Sequence, residues 1–243
     1  MDINSDLGEG EPESLTRTLM SVIDVANIAC GGHAGDNETM HAAVDLARQE
    51  NVVISAHPGH VDPDHFGRRQ LPIDSHALAS LLRSQIGSLK TIAGRAGAAV
   101  LRVKLHGALY HQVESNEDLA KAYLVTVQDL DSRLSVVCFP GGAVETIAKE
   151  LNMPIIREGF ADRRYRENGQ LLPRTDPHSL VHDSHEVRAQ VMAICQQKPL
   201  PYLAHRTITA ETLCIHADSP DAVTIARTAK AVIDEQKTKP TSN

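Results

Sequence analysis

The residues of this 243-residue sequence best suited to chemistry stand just after short apolar runs. Asp6 and Glu9 close the first run. His33 and Asp36 follow the second, in Gly31-Gly32-His33-Ala34-Gly35-Asp36. His57 ends the third, Lys104 and His106 the fourth, Glu158, Asp162 and Arg163 the sixth, His216 and Asp218 the seventh. The fifth ends in Pro140-Gly141-Gly142, which offers main chain and lets a ligand approach it closely. Carboxylates, imidazoles and an ammonium brought to one place can move protons and steady developing charge. Lys104 carries the most information. An ammonium ending an apolar strand is costly to bury alone, so it calls for a carboxylate such as Asp6, Glu9 or Glu158.

Two chemistries are open at this point. Asp6, His33 and His57 or His106 offer a mixed oxygen and nitrogen set suited to Zn, Mn or Ni, with a position left for water. The spacing matches no local metal motif such as HExxH, so that reading depends on the fold. The other is metal-free, with Asp6, Glu9 and Lys104 as acid, base and charge stabiliser. Plainer roles also compete. Asp36 is equally suited to capping the next helix, His216 to orienting a loop, and Asp218 to bracing the last turn. His41, His60, His65, His76, His178, His182, His185 and His205 fall on helices or loops and read as surface residues.

Positioning such residues requires their strands to end on one face. The pattern predicts seven strands, at roughly 2–6, 25–30, 52–56, 100–104, 135–139, 154–158 and 212–216. Helical stripes alternate with them, such as Met40, Ala43, Val44 and Ala47. Others run through Leu78, Leu82, Ile86 and Leu89 after a Ser75 cap, and through Leu119, Ala122 and Tyr123 after Asn116. The last helix is read as opening at Ser219-Pro220, cap then proline. Alternating strand and helix give an α/β chain with a parallel sheet, and the length suits one (β/α) barrel, whose active face is the C-terminal strand ends. One domain over 1–243 is expected, with residues 162–177 as a long loop and 237–243 as a frayed tail.

Composition narrows the classes. Aromatics are 3% and Trp is absent, which fits an aliphatic, helix-wrapped sheet. The net charge of -7 with scattered Lys and Arg argues against a nucleic-acid partner. Cys30, Cys138, Cys195 and Cys214 form no CxxC pair and read as free thiols. No apolar run approaches the ~20 residues of a membrane span, and MDINSDLGEG has no signal-peptide character, so a cytoplasmic, non-membrane protein is expected. GxSxG, GxxxxGK[ST] and strand-following GxGxxG motifs are missing, so no nucleotide site is recognisable.

INSDLGEG (3–10), ANIACGGHAGD (26–36), AHPG (56–59), FGRR (66–69), KLHGALY (104–110), FADRRY (160–165) and ETLCIHADSP (211–220) resemble, in order, the motifs of the LamB/YcsF family. The resemblance implies a distorted barrel of the glycoside hydrolase/deacetylase type. It also implies ATP-dependent opening of the 5-oxoproline lactam to glutamate together with partner subunits B and C. Because no phosphate loop is recognisable here, Mg-bound ATP is expected to be handled wholly or partly by those partners. Self-association stays open. On motif positions fall Asp6, Glu9, His33, Asp36, His57, Lys104, His106, Asp162, Arg163 and His216. Of these Asp6, Glu9, Lys104, His106 and Arg163 are expected to be catalytic. His33, Asp36, His57, Asp162 and His216 are expected to bind substrate. The chain departs from the family at CGGHAGD for CGFHAGD, KLHGALY for KPHGALY and HADSP for HGDTP, and in the stretch after DLGEG. The first change is expected to remove an aromatic from the pocket. Against this stands a metal-dependent deacetylase or amidohydrolase acting alone.

Overall fold

Residues 1–238 are described by a computed structural model. Their short apolar runs become strands buried on both faces, as expected for a helix-wrapped parallel sheet; Val25–Ala29 is buried at every position. β1 (Asp2–Leu7), β2 (Val25–Ala29), β3 (Val53–His57), β4 (Val100–Val103), β5 (Ser135–Cys138) and β6 (Ile155–Phe160) lie within a few residues of their predicted positions. A small antiparallel ribbon, β7 (Pro199–Leu200) with β8 (Leu203–Thr207), interrupts the series before β9 (Thr212–His216). All pairings within the main sheet are parallel, and it closes in the order β1-β2-β3-β4-β5-β6-β9. β9 supplies the seam, pairing Asp2↔Thr212 through Asp6↔His216 on one side and Glu158↔Thr212 on the other. The result is the expected seven-stranded distorted (β/α) barrel.

Helices wrap the outside: α1 (Glu13–Met20), α2 (Asn37–Gln49), α3 (Ser75–Arg95), α4 (Gly107–Glu114), α5 (Glu117–Leu130), α6 (Ala143–Glu150), α7 (Ser184–Cys195) and α8 (Ala222–Lys237). Their buried stripes meet the outward residues of the strands. Leu78, Leu82, Ile86 and Leu89 of α3 are fully buried in the same core as Ile3, Leu7 and Ile28. Each such side chain contributes roughly 1.5–3 kcal/mol of burial. Local caps fix where helices begin. Asn116 accepts the Leu119 N–H at 3.0 Å, as its side chain type predicts. Asp74, not Ser75, caps α3, accepting from the Ala77 N–H at 2.8 Å. Ser219 and Pro220 form a turn ahead of α8, whose N-cap position is Asp221. Lys237, placed in the frayed tail by sequence, is the last residue of α8, while 239–243 lie outside the described residues.

Inside, the barrel is polar. Asn27 donates to Asn4 at 2.7 Å and Asn4 to Thr212 at 2.9 Å, so three strands are tied by amide and hydroxyl groups rather than by aliphatic layers. A lumen paved this way can keep charged groups at its C-terminal end.

Candidate active site

Register sets the first neighbours. Asp6 stands level with Asn27 of β2 and His216 of β9, and Ala29 stands level with His57. Lys104, just past β4, reaches across the lumen. Its ammonium lies 2.8 Å from Asp6 Oδ1, 3.1 Å from Glu158 Oε1, 3.3 Å from Asn4 Oδ1 and 3.0 Å from Cys214 Sγ. Asp6 Oδ1 also accepts from Asn27 at 2.9 Å. Burial alone would raise the Asp6 carboxyl and lower the Lys104 ammonium. The charges of His57 and Lys104 hold Asp6 well below its ordinary value, and Asp6 holds Lys104 well above. Burial pushes Glu158 up, and Lys104 offsets this only in part. Of the two flanking carboxyls, Asp6 is therefore the firmly ionised one.

Beside this group lies an imidazole cluster. The His57 Nδ1–H donates to the Lys104 carbonyl at 2.8 Å, and the His106 Nε2–H donates to the Phe66 carbonyl at 2.9 Å. A carbonyl can only accept, so these bonds fix both tautomers. The remaining ring nitrogens, His57 Nε2 and His106 Nδ1, face each other at 3.0 Å. Glu9 Oε1 lies 3.6 Å from the first and 3.2 Å from the second. Three lone pairs thus converge, and a cation belongs among them. A proton on His57 is one solution: burial disfavours it, but Asp6 and Glu9 raise the ring's pKa. A divalent ion is the other. Tetrahedral bonds of ~2.0–2.1 Å place donors roughly 3.3 Å apart, close to the separations here.

His33 completes the cluster without joining its opening. It lies 2.7 Å from Glu9 Oε1, too short for two ligands of one ion, and stacks on His106 with ring centres 3.5 Å apart. Burial lowers its pKa to about 4, so its Nε2–H orients Glu9 as a neutral donor. The loop after β3 packs tightly around these rings. Gly67 has φ +60, and a Cβ there would come within 2.7 Å of the His33 Cβ.

A cavity of about 860 Å³ opens over both groups, and Asp6, Glu9, His57, Lys104, His106, Arg163 and His216 line it. The Tyr110 hydroxyl, on α4, is buried at its wall with no hydrogen-bond partner among the described residues. Glu114, one turn later, accepts the Phe139 and Val144 N–H groups, while burial raises its pKa to about 8. Neither was singled out by sequence reasoning, because α4 was not recognised as a helix; its register after His106 is the signal that would have found them.

Several expected substrate contacts do not reach this cavity. Asp36 is exposed and caps α2, accepting from Thr39 N–H at 2.8 Å, so helix capping explains it. Asp162 is fully buried; it accepts the His216 main-chain N–H at 2.9 Å and faces His216 Nδ1 at 3.1 Å. It holds the imidazole instead of touching a ligand, and leaves the other ring nitrogen for the cavity. Of the expected metal set Asp6, His33, His57 and His106, His57 and His106 converge with Glu9; His33 lies within the same group but stands behind Glu9, and Asp6 groups with Cys214 and His216. His60 is buried against Gln112, not on the surface. Gly32 does not face the pocket: a Cβ there would strike the Gln85 amide and the Gly59 carbonyl at 2.5 Å. Gln85 bonds both the N–H and the carbonyl of Gly59, so it fills the space that a larger residue at 32 would need.

The chain is 36% identical to the A subunit of 5-oxoprolinase from Pyrococcus furiosus, with 98% of this chain and 96% of that protein aligned. It is 35% identical to the corresponding 5-oxoprolinase component of Photorhabdus laumondii, over 97% and 95%. The crystal structure of a lactam utilization protein from Thermus thermophilus superposes with a TM-score of 0.89 at 30% identity, covering 98% of this chain and 97% of that one. The LamB/YcsF family model matches residues 1–242, and the chain belongs to that family.

Proposed function

We propose that this chain is the lactam-binding component of an ATP-dependent 5-oxoprolinase, opening 5-oxo-L-proline to L-glutamate with partner subunits B and C. The observation that carries the reading is the joined pair of clusters, Asp6–Lys104–Glu158 and Glu9–His57–His106, at the floor of one cavity in a chain whose relatives bear that name. A five-membered lactam is a stable amide. Transfer of the ATP γ-phosphoryl group to its carbonyl oxygen releases ADP and makes the carbon electrophilic. One water adds and the C–N bond breaks to leave an acyl phosphate with a free amine, and a second water hydrolyses that acyl phosphate to glutamate and inorganic phosphate. The chain offers no phosphate loop, so Mg-bound ATP is assigned wholly or partly to the partners. His57, between two carboxylates, takes the proton of the attacking water. Lys104 offsets negative charge as it forms, and His216, steadied by Asp162, protonates the departing nitrogen.

A second reading is favoured by the converging lone pairs. Glu9, His57 and His106 would hold a divalent ion such as Zn or Mn, and His33 and the Lys104 and Phe66 carbonyls would orient those ligands. Such an ion polarises a carbonyl and acidifies bound water. A metal-dependent amidohydrolase acting alone would follow. Reconstitution with the partner subunits separates the two readings. Glutamate release from 5-oxoproline that requires ATP supports the first. Turnover by the isolated, metal-loaded chain without ATP overturns it in favour of the second.

A further inference from the structure

Above the carboxylate-rich floor, the cavity is lined by residues of the opposite charge. Arg68, on the loop after β3, and Arg174, on the loop after β6, both reach Asp218, after β9, at 2.5 and 3.0 Å. One carboxylate thus serves two guanidiniums. Arg163 lies deeper, only 5% exposed, with its Nε and Nη2 donating to the carbonyls of Ser179 and Leu172. Arg166 is exposed and also lines the cavity. Among the described residues neither Arg163 nor Arg166 makes an ion pair, so the mouth carries an excess of positive charge. A buried guanidinium without a carboxylate is an unbalanced charge that an anion would relieve. Burial and the nearby Arg174 charge bring the Arg163 pKa down to about 10, which is the same imbalance seen from the proton's side.

The cavity is therefore polarised, with acid–base groups below and guanidiniums above. An occupant whose reacting carbon sits on the floor would present its anionic group upward. We propose that Arg68, Arg163, Arg166 and Arg174 form an anion subsite that receives the carboxylate carried by the lactam ring, with Asp218 holding two of them ready. The subsite selects carboxylated lactams over neutral ones. The inference rests on the 5-oxoprolinase reading for the identity of the ligand, and on the charge distribution for its chemistry. Guanidinium is suited to this task because its planar fork matches a carboxylate. A nucleotide phosphate would satisfy the same donors, and the test tells the two sources apart.

The test uses R166Q/R174Q, two changes on the outer loops that leave the internal hydrogen bonds of Arg163 intact. In the complex reconstituted with its partner subunits, the KM for 5-oxoproline should rise about tenfold or more, the size expected for losing charge-assisted hydrogen bonds. The kcat should stay within about twofold and the KM for ATP should not move. The neutral lactam 2-pyrrolidinone should bind wild type and variant equally weakly. A rise in the KM for ATP alone would assign the arginines to phosphate and overturn the proposal. So would an unchanged KM for both substrates, which would make them a structural brace. Should the wild-type complex release no glutamate, the assigned reaction fails, and the subsite is judged separately by calorimetry of 5-oxoproline on the chain alone. Binding weakened about tenfold in R166Q/R174Q upholds it; equal binding, or none to wild type, overturns it.

Discussion

The two buried clusters lie side by side but balance their charges differently. Around Lys104, one ammonium is shared by Asp6 and Glu158, so the counter-charge is already in place, while the buried Glu158 oxygens have no hydrogen-bond partner among the described residues. Around Glu9, three acceptors point at a common spot and need a cation from elsewhere, a proton or a metal. The first cluster thus behaves as a fixed electrostatic frame. The second is the adjustable part, able to gain and release a cation during a reaction. Charge sealed in place gives preorganisation, while an unsatisfied set of lone pairs gives reactivity.

Removing the frame should have the largest effect. Lys104→Met leaves Asp6 and Glu158 buried without their counter-ion. Stability should fall by about 3–5 kcal/mol in denaturant titrations, and turnover in the reconstituted complex by about a thousandfold. Adding Glu158→Gln should recover part of the stability and none of the turnover; recovered turnover would show that the ammonium is only structural. In the adjustable cluster, Glu9→Gln should lower kcat by about a hundredfold while costing little stability. A fully active Glu9→Gln protein would make that cluster a plug rather than a catalytic part.

The same contrast can be read from pH. His33 has its pKa lowered to about 4, whereas the unfolded chain's imidazole titrates near ~6.5. Between those values the unfolded state binds the proton and the folded state does not. This contribution is therefore full above pH ~6.5 and is lost as pH falls toward about 4, to the extent of about 3 kcal/mol. His57 has the opposite sign: its raised pKa contributes stability below pH ~6.5 that is lost as pH rises through the folded value. Urea midpoints of metal-free protein between pH 4 and 6.5 should show a shallower acid loss in His33→Gln than in wild type. The smallest effect is expected at Asp36. Asp36→Ala should lower the melting temperature by roughly 2–4 °C, the size expected for losing a helix cap in a chain this long, and leave turnover unchanged.

The strands and the outer helix stripes were legible in sequence because short continuous apolar runs and period-3.6 stripes are written in consecutive residues. The polar residues at strand ends were legible for the same reason: Asp6, His57, Lys104 and His216 each stop an apolar run. What the sequence withheld was which neighbours they meet. Glu9 is three residues beyond Asp6, yet it turns to the imidazoles while Asp6 turns to the ammonium, a split set by the turn at Gly8 and not by residue type. Asp162 reads like a ligand contact, and only the pairing of β6 with β9 shows that it supports His216. Gly32 looked like a widened pocket because Gln85, its spatial partner, lies on a helix more than fifty residues away.

The seam between β1 and β9 also governs when the protein becomes competent. Asn4 and Thr212 are bonded across 208 residues, and Lys104 reaches Cys214 across 110. Contacts so distant along the chain form late and slow folding, since loop-closure entropy is lost before they reward it. During synthesis β1 emerges first and waits, one edge unpaired, for a strand made near the end. Asp6 therefore gains its full set of neighbours only after β9 is made, and a chain terminated before β9 lacks His216 and Asp218 and leaves β1 and β6 as open, association-prone sheet edges.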